Sequence, residues 1–347
     1  MTQKKEHLLI LRFSSLGDIA MTVPVIRCLL KAYPNLQITI VSRKGMEPLF
    51  FEFKNINFFA ADFDSRHKGL KGIYQLYRDL RKISITRIAD LHSVIRSDLL
   101  CFFFRISFFQ IKKIKKARVE KYLLTRKKNK KFQPLTPTIY RYVDVFRRLG
   151  FSVDMQKHEI PFRKGEIPKK ILYQSDKNNN EKWIGIAPFA AFPGKIYPLD
   201  LMQKVISYLQ KDHKLFLFGK GEKESHKFDI WENAYPNVHS TVELISFSDQ
   251  LNLISNLDLM ISMDSANGHL SANFGIPTIT LWGVTHPFCG FAPFAQPIEN
   301  SLYLDRTKYP QIPTSIYGEK VFKGYQEALR SIDPKVIIEK AIELLSN

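Results

Sequence analysis

Four loops in this chain place ionisable side chains where a short apolar run gives way to a helical pattern. The first is Ser14-Ser15-Leu16-Gly17-Asp18, after the run HLLILRF, and it offers one carboxylate, Asp18, at a helix start. Such a residue either caps its helix or presents its charge to a ligand. The second, 90–97, reads DLHSVIRS. Arg96 there could grip a carboxylate or phosphate with two parallel hydrogen bonds, or His92 and Arg96 could simply satisfy backbone groups. The third, APFAAFPGKIYP, carries a single lysine, Lys195, a point charge suited to a diphosphate. The fourth, Gly219-Lys220-Gly221-Glu222, holds an acid that could accept ribose hydroxyls or serve as the first-turn acid a helix dipole favours.

The densest stretch is 263–287, MDSANGHLSANFGIPTITLWGVTHP. Asp264, Ser265 and Asn267 are helix-capping types, Gly268 permits close backbone approach, and His269 follows on a short helix ending at Asn273 or Gly275. A polar turn feeding a helix N-terminus at the carboxyl end of a strand is where α/β proteins hold anions, here a phosphate. No GxGxxG or GK[ST] follows the first strand, and there is no HExxH, paired CxxC or carboxylate pair with metal-ligand spacing.

These loops need elements to hold them. The first half alternates: strand 7–13, helix 18–33, strand 36–42, a short helix near 46–53, strand 56–63, helix 70–83, strand 86–91, and helix from about Val94. A helix resumes at 137–149. After a lysine-rich polar connection the alternation restarts with strand 183–188, helix 199–211, strand 214–219, helix 222–233, strand 238–240, helix 248–256, strand 257–262 and strand 277–282. A helix at 333–345 comes last. This βαβα order calls for parallel sheets covered on both faces. The expected organisation is a first domain at 1–165, a linker at 166–182, a second domain at 183–330 and a terminal helix at 331–347. Two doubly wound units suggest a cleft between them.

At 347 residues, 45% of them hydrophobic, the chain suits two globular domains. The apolar stretch 99–111 is interrupted by Arg105 and too short to span a bilayer. The four-residue apolar run before Arg12 is no signal peptide. Cys28, Cys101 and Cys289 lie far apart without ligand spacing, as in a reducing cytoplasm. Net charge is +19, and the window 105–131 holds twelve Lys and Arg against one acid, Glu120. That window is either a solvated basic face or a patch that seeks phosphates.

Taken together, the motifs resemble glycosyltransferase family 9, the lipopolysaccharide heptosyltransferases. Strand-SS(L/M)GD-helix is matched at 8–18, DLxxxxRS at 90–97, K-x-(W/Y)-P at 195–198, and the DS/DT-G-xx-HL-xAA-x-G-x-P-T-x-x-L-(F/Y)G-x-T-x-P run at 264–287. The likeness covers nearly the whole chain. Its departures are Ala266 where the run has glycine, Tyr197 as the aromatic, and Val284-Thr285-His286-Pro287 in place of a P-T-D-P turn. The resemblance implies a GT-B fold, two Rossmann-like α/β domains facing a central cleft. It implies an inverting, metal-independent transfer from ADP-heptose, with no further cofactor, to an inner-core acceptor, Kdo-lipid A or heptose.

By the same resemblance Asp18 is the general base. Lys195, Glu222, Asp264, Ser265, Asn267, Gly268 and His269 bind the donor. Ser15, Gly17, His92, Arg96, Lys112, Lys113 and Lys116 bind an anionic glycolipid acceptor. The basic segment 105–131 then docks on the inner leaflet, making the protein cytoplasmic and peripherally membrane-associated, with no nucleic acid expected. Two alternatives stand beside this reading. One is the same fold with another nucleotide sugar; the other is a non-catalytic basic protein that binds anionic surfaces.

Overall fold

Short apolar runs that stop at glycine or polar residues become buried parallel strands here. The computed structural model describes residues 6–160, 164–172 and 181–346, and the runs form one sheet in each of two units. The first unit comprises the chain up to Lys116 together with Thr138–Glu159; the second comprises Ala117–Pro137 and everything from Ile160 onward.

The chain begins with β1 (His7–Leu11), α1 (Leu16–Ala20), α2 (Thr22–Ala32), β2 (Gln37–Ser42), β3 (Ile56–Ala60), α3 (Gly69–Leu80), β4 (Arg87–Asp90), α4 (Ile95–Ile106) and β5 (Gln110–Lys113). The helix expected over 18–33 is therefore two helices. Pro24 has no N–H to bond back along a helix, so the second helix restarts at Thr22 and places Pro24 in its first turn. β5, QIKK, is an edge strand paired only with β4, so it needs little apolar character and carries no strand pattern in the sequence. The sheet order is β3-β2-β1-β4-β5, all parallel. Strand order reverses between β1 and β4, and that switch point is where an open α/β sheet binds ligands. The Asp18 loop follows β1 and the His92 loop follows β4, so both lie there.

Next come α5 (Arg118–Thr125), α6 (Thr138–Arg148), α7 (Lys169–Leu172), β6 (Trp183–Ala187), α8 (Leu199–Leu209), β7 (Lys214–Leu217), α9 (Glu222–Ala234), β8 (Val238–Ser240), α10 (Phe247–Ile254), β9 (Leu259–Met263), α11 (Ala266–Asn273), β10 (Thr278–Trp282), β11 (Ser301–Tyr303) and α12 (Pro334–Ser346). The second sheet runs β11-β10-β9-β6-β7-β8. Its reversal falls between β6 and β9, whose following loops carry Lys195 and Asp264. α12 packs against α8 and this sheet, burying Ile337 and Ala341.

The division of the chain differs from the expected boundary at 165. Residues 117–137 belong to the second unit because their apolar side chains are buried there. Leu124 and Leu135 cluster with Cys289 and Ile316, and Phe132 stacks on Phe288 at 4.7 Å. The Lys130 ammonium donates to the carbonyls of Leu124 (2.7 Å) and Pro313 (2.6 Å). Burial, reinforced by the Arg306 cation, pushes its pKa down to about 8. Lys121 donates to Tyr317 Oη at 2.8 Å. The basic window is thus split between units, and part of its charge is used in packing. Residues from Ile160 also fall in the second unit, where the Gly165 N–H donates to Ser255 Oγ at 2.8 Å. Within the expected linker 166–182, residues 173–180 lie outside the described residues, while α7 buries Ile171. Among the described residues no helix is long and apolar enough to cross a membrane.

Candidate functional site

In the first unit the site is built at the ends of β1 and β4. Ser15 caps α1, and its hydroxyl donates to Asp18 Oδ2 at 2.8 Å in a capping box. The same oxygen meets Arg12 Nη2 at 2.5 Å, while Arg12 Nη1 donates to the Leu91 carbonyl at 2.7 Å. Arg12 is buried and stays firmly protonated: burial opposes its charge, but Tyr142, Asp18 and Asp90 outweigh it. A rigid, doubly held guanidinium therefore fixes the direction of the Asp18 carboxylate. From the other side, the Tyr142 hydroxyl on α6 donates to the Asp18 carbonyl at 3.2 Å. Arg12 marks only the end of an apolar run in the sequence; its role needs the turn that brings residue 18 back beside residue 12.

The β4–α4 loop is organised by Asp90, which is fully buried. It accepts from the N–H groups of His92 (2.9 Å) and Ser93 (2.8 Å) and from Ser97 Oγ (2.9 Å). His92 Nδ1 accepts the Phe13 N–H at 3.3 Å. Burial, then the Arg12 cation, drives the His92 pKa down to about 3, so at neutral pH the ring is uncharged. It can offer a ligand an N–H but not a positive charge. Arg96 is exposed, its guanidinium lying over the Phe63 ring at 5.3 Å. Lys112 sits in β5, and Lys113 pairs with Asp98 at 2.5 Å. Lys116 gives its carbonyl to Arg141 at 3.4 Å. Gly17 lies within α1, one residue before Asp18.

In the second unit the Lys195 ammonium sits 3.0 Å from Asp264 Oδ2, with both side chains nearly buried. Thr285 Oγ1 donates to that same oxygen at 2.9 Å. The Lys195 stem runs across Gly318, whose φ is +101°; a Cβ there would collide with the stem. Ser265 occupies the cap position of α11 but makes no side-chain cap, its hydroxyl instead lying 3.1 Å from Ser262 Oγ. Among the described residues the Ser265 side chain therefore does not cap the first turn of α11, which starts two residues after the Lys195-paired Asp264, and a helix N-terminus of this kind can receive an anion. Gly268 is buried, and a Cβ there would press on Pro293 at 3.3 Å. Asn267 lies in the first turn, its carbonyl accepting from Ser271 Oγ at 2.9 Å, and His269 is buried behind it. Tyr197 is core: it is fully buried, and its hydroxyl donates to the Ile332 carbonyl at 2.6 Å.

Glu222 is exposed at the first position of α9. The acid that turns into this strand-end loop is Glu224, which accepts the Lys220 N–H at 2.8 Å. Its place three residues past the Gly221 cap is the signal that would have found it. Thr285 stands in the 264–287 run, but only the fold brings its hydroxyl to Asp264.

His286 ends the same loop. Its Nδ1 accepts the Phe288 N–H at 3.1 Å, and burial together with Arg306 holds its pKa down at about 4. The folded value lies below the unfolded one of about 6.5, so the unfolded chain binds more protons between them. This contribution to stability is complete above about pH 6.5 and is lost as pH falls through about 4. Unfolding midpoints measured across that range should drop toward acid. His286→Asn, which keeps an acceptor for the Phe288 N–H, should give a shallower drop. An unchanged slope in the variant would remove His286 as a contributor.

Comparison with known proteins bears on the fold and the family. Lipooligosaccharide heptosyltransferase 2 of Campylobacter jejuni is 22% identical over 341 residues, 96% of each chain. A glycosyltransferase family 9 structure from Veillonella parvula superimposes with a TM-score of 0.73 at 18% identity, covering 100% of this chain and 99% of that one. The Escherichia coli heptosyltransferase WaaC with ADP-2-deoxy-2-fluoro heptose gives a TM-score of 0.68 at 13% identity, covering 97% and 99%. The two sheets with their helices are the GT-B architecture of these structures. With residues 73–315 matching glycosyltransferase family 9 (heptosyltransferase), the chain belongs to that family and is a glycosyltransferase enzyme.

Proposed function

We propose that this enzyme transfers heptose from ADP-heptose to an inner-core acceptor of lipopolysaccharide, Kdo-lipid A or heptose, with inversion and without a metal. The observation that carries the reading is the first turn of α11, which the Ser265 side chain does not cap, following the Lys195-paired Asp264. A diphosphate there exchanges the Asp264 contact for its own oxygens and draws on the α11 N–H groups. In the reaction, Asp18 takes the proton of the acceptor hydroxyl as that oxygen attacks the anomeric carbon. The bond from that carbon to the diphosphate breaks, and ADP leaves with the electron pair, its charge met by Lys195 and the α11 N-terminus. Asp264 orients the donor. Arg96, Lys112, Lys113 and Lys116 supply cations for an acceptor bearing phosphates and carboxylates, and His92 supplies a neutral N–H. Basic residues of 105–131 hold the protein peripherally at the cytoplasmic leaflet. The relatives support the chemistry, since they are a lipooligosaccharide heptosyltransferase and a lipopolysaccharide core heptosyltransferase.

The test is calorimetric titration with ADP-heptose against UDP- and GDP-sugars, followed by transfer in excess EDTA and assignment of the product anomer. ADP-heptose should bind best, turnover should survive EDTA, and the anomeric configuration should invert. Preference for a uridine or guanosine sugar would replace this donor assignment with the same fold acting on another glycan.

A further inference from the structure

α4 is apolar on two faces. One, with Leu100, Cys101 and Phe104, is buried in the core of the first unit. The other presents Ile95, Phe102 and Ile106 to solvent, spaced to form a single stripe, with Ile95 86% exposed. α3 packs alongside and adds Leu70, 75% exposed, and Tyr74, whose ring meets Phe103 at 5.3 Å, edge to face. Phe103 in turn contacts Phe102 at 6.0 Å, so the stripe is continuous across both helices. Phe108 extends it. That residue is 98% exposed and has φ +62° at the turn closing α4, a left-handed position that ordinarily takes glycine. Neither packing nor backbone preference accounts for a phenylalanine there.

The rim of this ridge is cationic. Lys71 and Arg78 flank Tyr74 at helical spacing, Arg105 flanks Phe102, and Arg81 and Lys82 close the end of α3, all exposed. The nearby acids are paired, Asp79 with Arg66 at 2.8 Å and with the rim residue Lys82 at 3.5 Å, and Asp98 with Lys113.

We propose that this ridge inserts into the surface of an anionic bilayer, the aromatic and aliphatic side chains entering the headgroup boundary while the rim cations meet lipid phosphates. Apolar anchors ringed by Lys and Arg fit that environment, where each class of contact is weak alone and the two together give stable binding. The inference rests on the proposed function and deepens it, α3 and α4 supplying an apolar anchor in addition to the charges of 105–131. Vesicle binding tests it without reference to turnover or donor identity.

The experiment is co-sedimentation of the full chain with phosphatidylcholine vesicles with and without phosphatidylglycerol. Wild type should bind the anionic vesicles and bind more weakly as salt rises. F102S/I106S should lower partitioning at least about tenfold. F108G separates anchoring from folding, because it should keep or raise the melting temperature while lowering partitioning. F108W should shift its emission to shorter wavelength on anionic vesicles only. Unchanged partitioning in F102S/I106S and F108G would overturn the assignment. So would equal binding to neutral vesicles, or a salt-insensitive dimer that F102S/I106S dissolves while vesicle binding is absent.

Discussion

Asp18→Asn is expected to lower turnover by about 10²- to 10⁴-fold, the usual worth of a positioned general base, with donor affinity little changed. The substitution keeps shape and an oxygen acceptor, so the Ser15 hydroxyl and the Arg12 guanidinium retain a partner. What disappears is the charge that would receive a proton. Loss of the ionic part of the Arg12 contact should cost stability of about 1–3 kcal/mol, which a denaturation curve reads separately from rate. Single-turnover transfer with saturating donor, beside calorimetric donor binding, makes the comparison. Near-normal transfer would dismiss Asp18 as the base. Arg12→Lys is the informative companion. It keeps a positive charge but cannot reach both Asp18 and the Leu91 carbonyl, 2.5 and 2.7 Å from two nitrogens of one planar group. A rate loss smaller than that of Asp18→Asn, with normal donor affinity, would mark Arg12 as the residue that aims the carboxylate.

Lys195→Met should reduce kcat/KM by about 10²- to 10³-fold, as when one preorganised donor is removed from a developing anion. Methionine fills the same slot along Gly318 without the charge. The substitution also leaves Asp264 buried without its cation, held by Thr285, and breaking one side of a buried pair costs about 3–5 kcal/mol. Stability and activity are therefore confounded in the single variant. Lys195→Met with Asp264→Asn, measured against Asp264→Asn alone, separates them: folding stability should return while the rate stays well below that of Asp264→Asn. Recovery of both together would mean that the lysine serves the fold rather than the diphosphate.

Much of the architecture is legible in residue patterns. β6 and β9 show as uninterrupted apolar runs because their strands are covered on both faces. The Asp18 and Asp264 loops stand out because cap-forming residues follow those runs. β5 and β11 do not show, since each is an edge strand with a single neighbour and little need for apolar side chains. The partners of the site residues are hidden for a different reason. Arg12 reaches Asp18 only through the turn of α1, Thr285 reaches Asp264 from the neighbouring strand's end, and His92 loses its charge only when burial and Arg12 act together. Charge counting had the same limit. It marked 105–131 as one basic surface, whereas Lys121 and Lys130 are committed to Tyr317, Leu124 and Pro313.

The first unit is written in two pieces. Its sheet is complete at Lys113, but α6, which supports the Asp18 loop through Tyr142 and donates from Arg148 to the Lys113 carbonyl at 2.6 Å, arrives only after 117–137 have been made. Those intervening residues belong with Phe288, Cys289 and Ile316, far downstream. During synthesis, at roughly 5–20 residues per second, the first unit can close as soon as α6 emerges. The stretch containing Leu124, Phe132 and Leu135 must then wait, apolar and cationic, for a partner not yet translated. That stretch is where a nascent-chain chaperone would find its binding site, and where a break in the chain would separate both units from a piece of themselves.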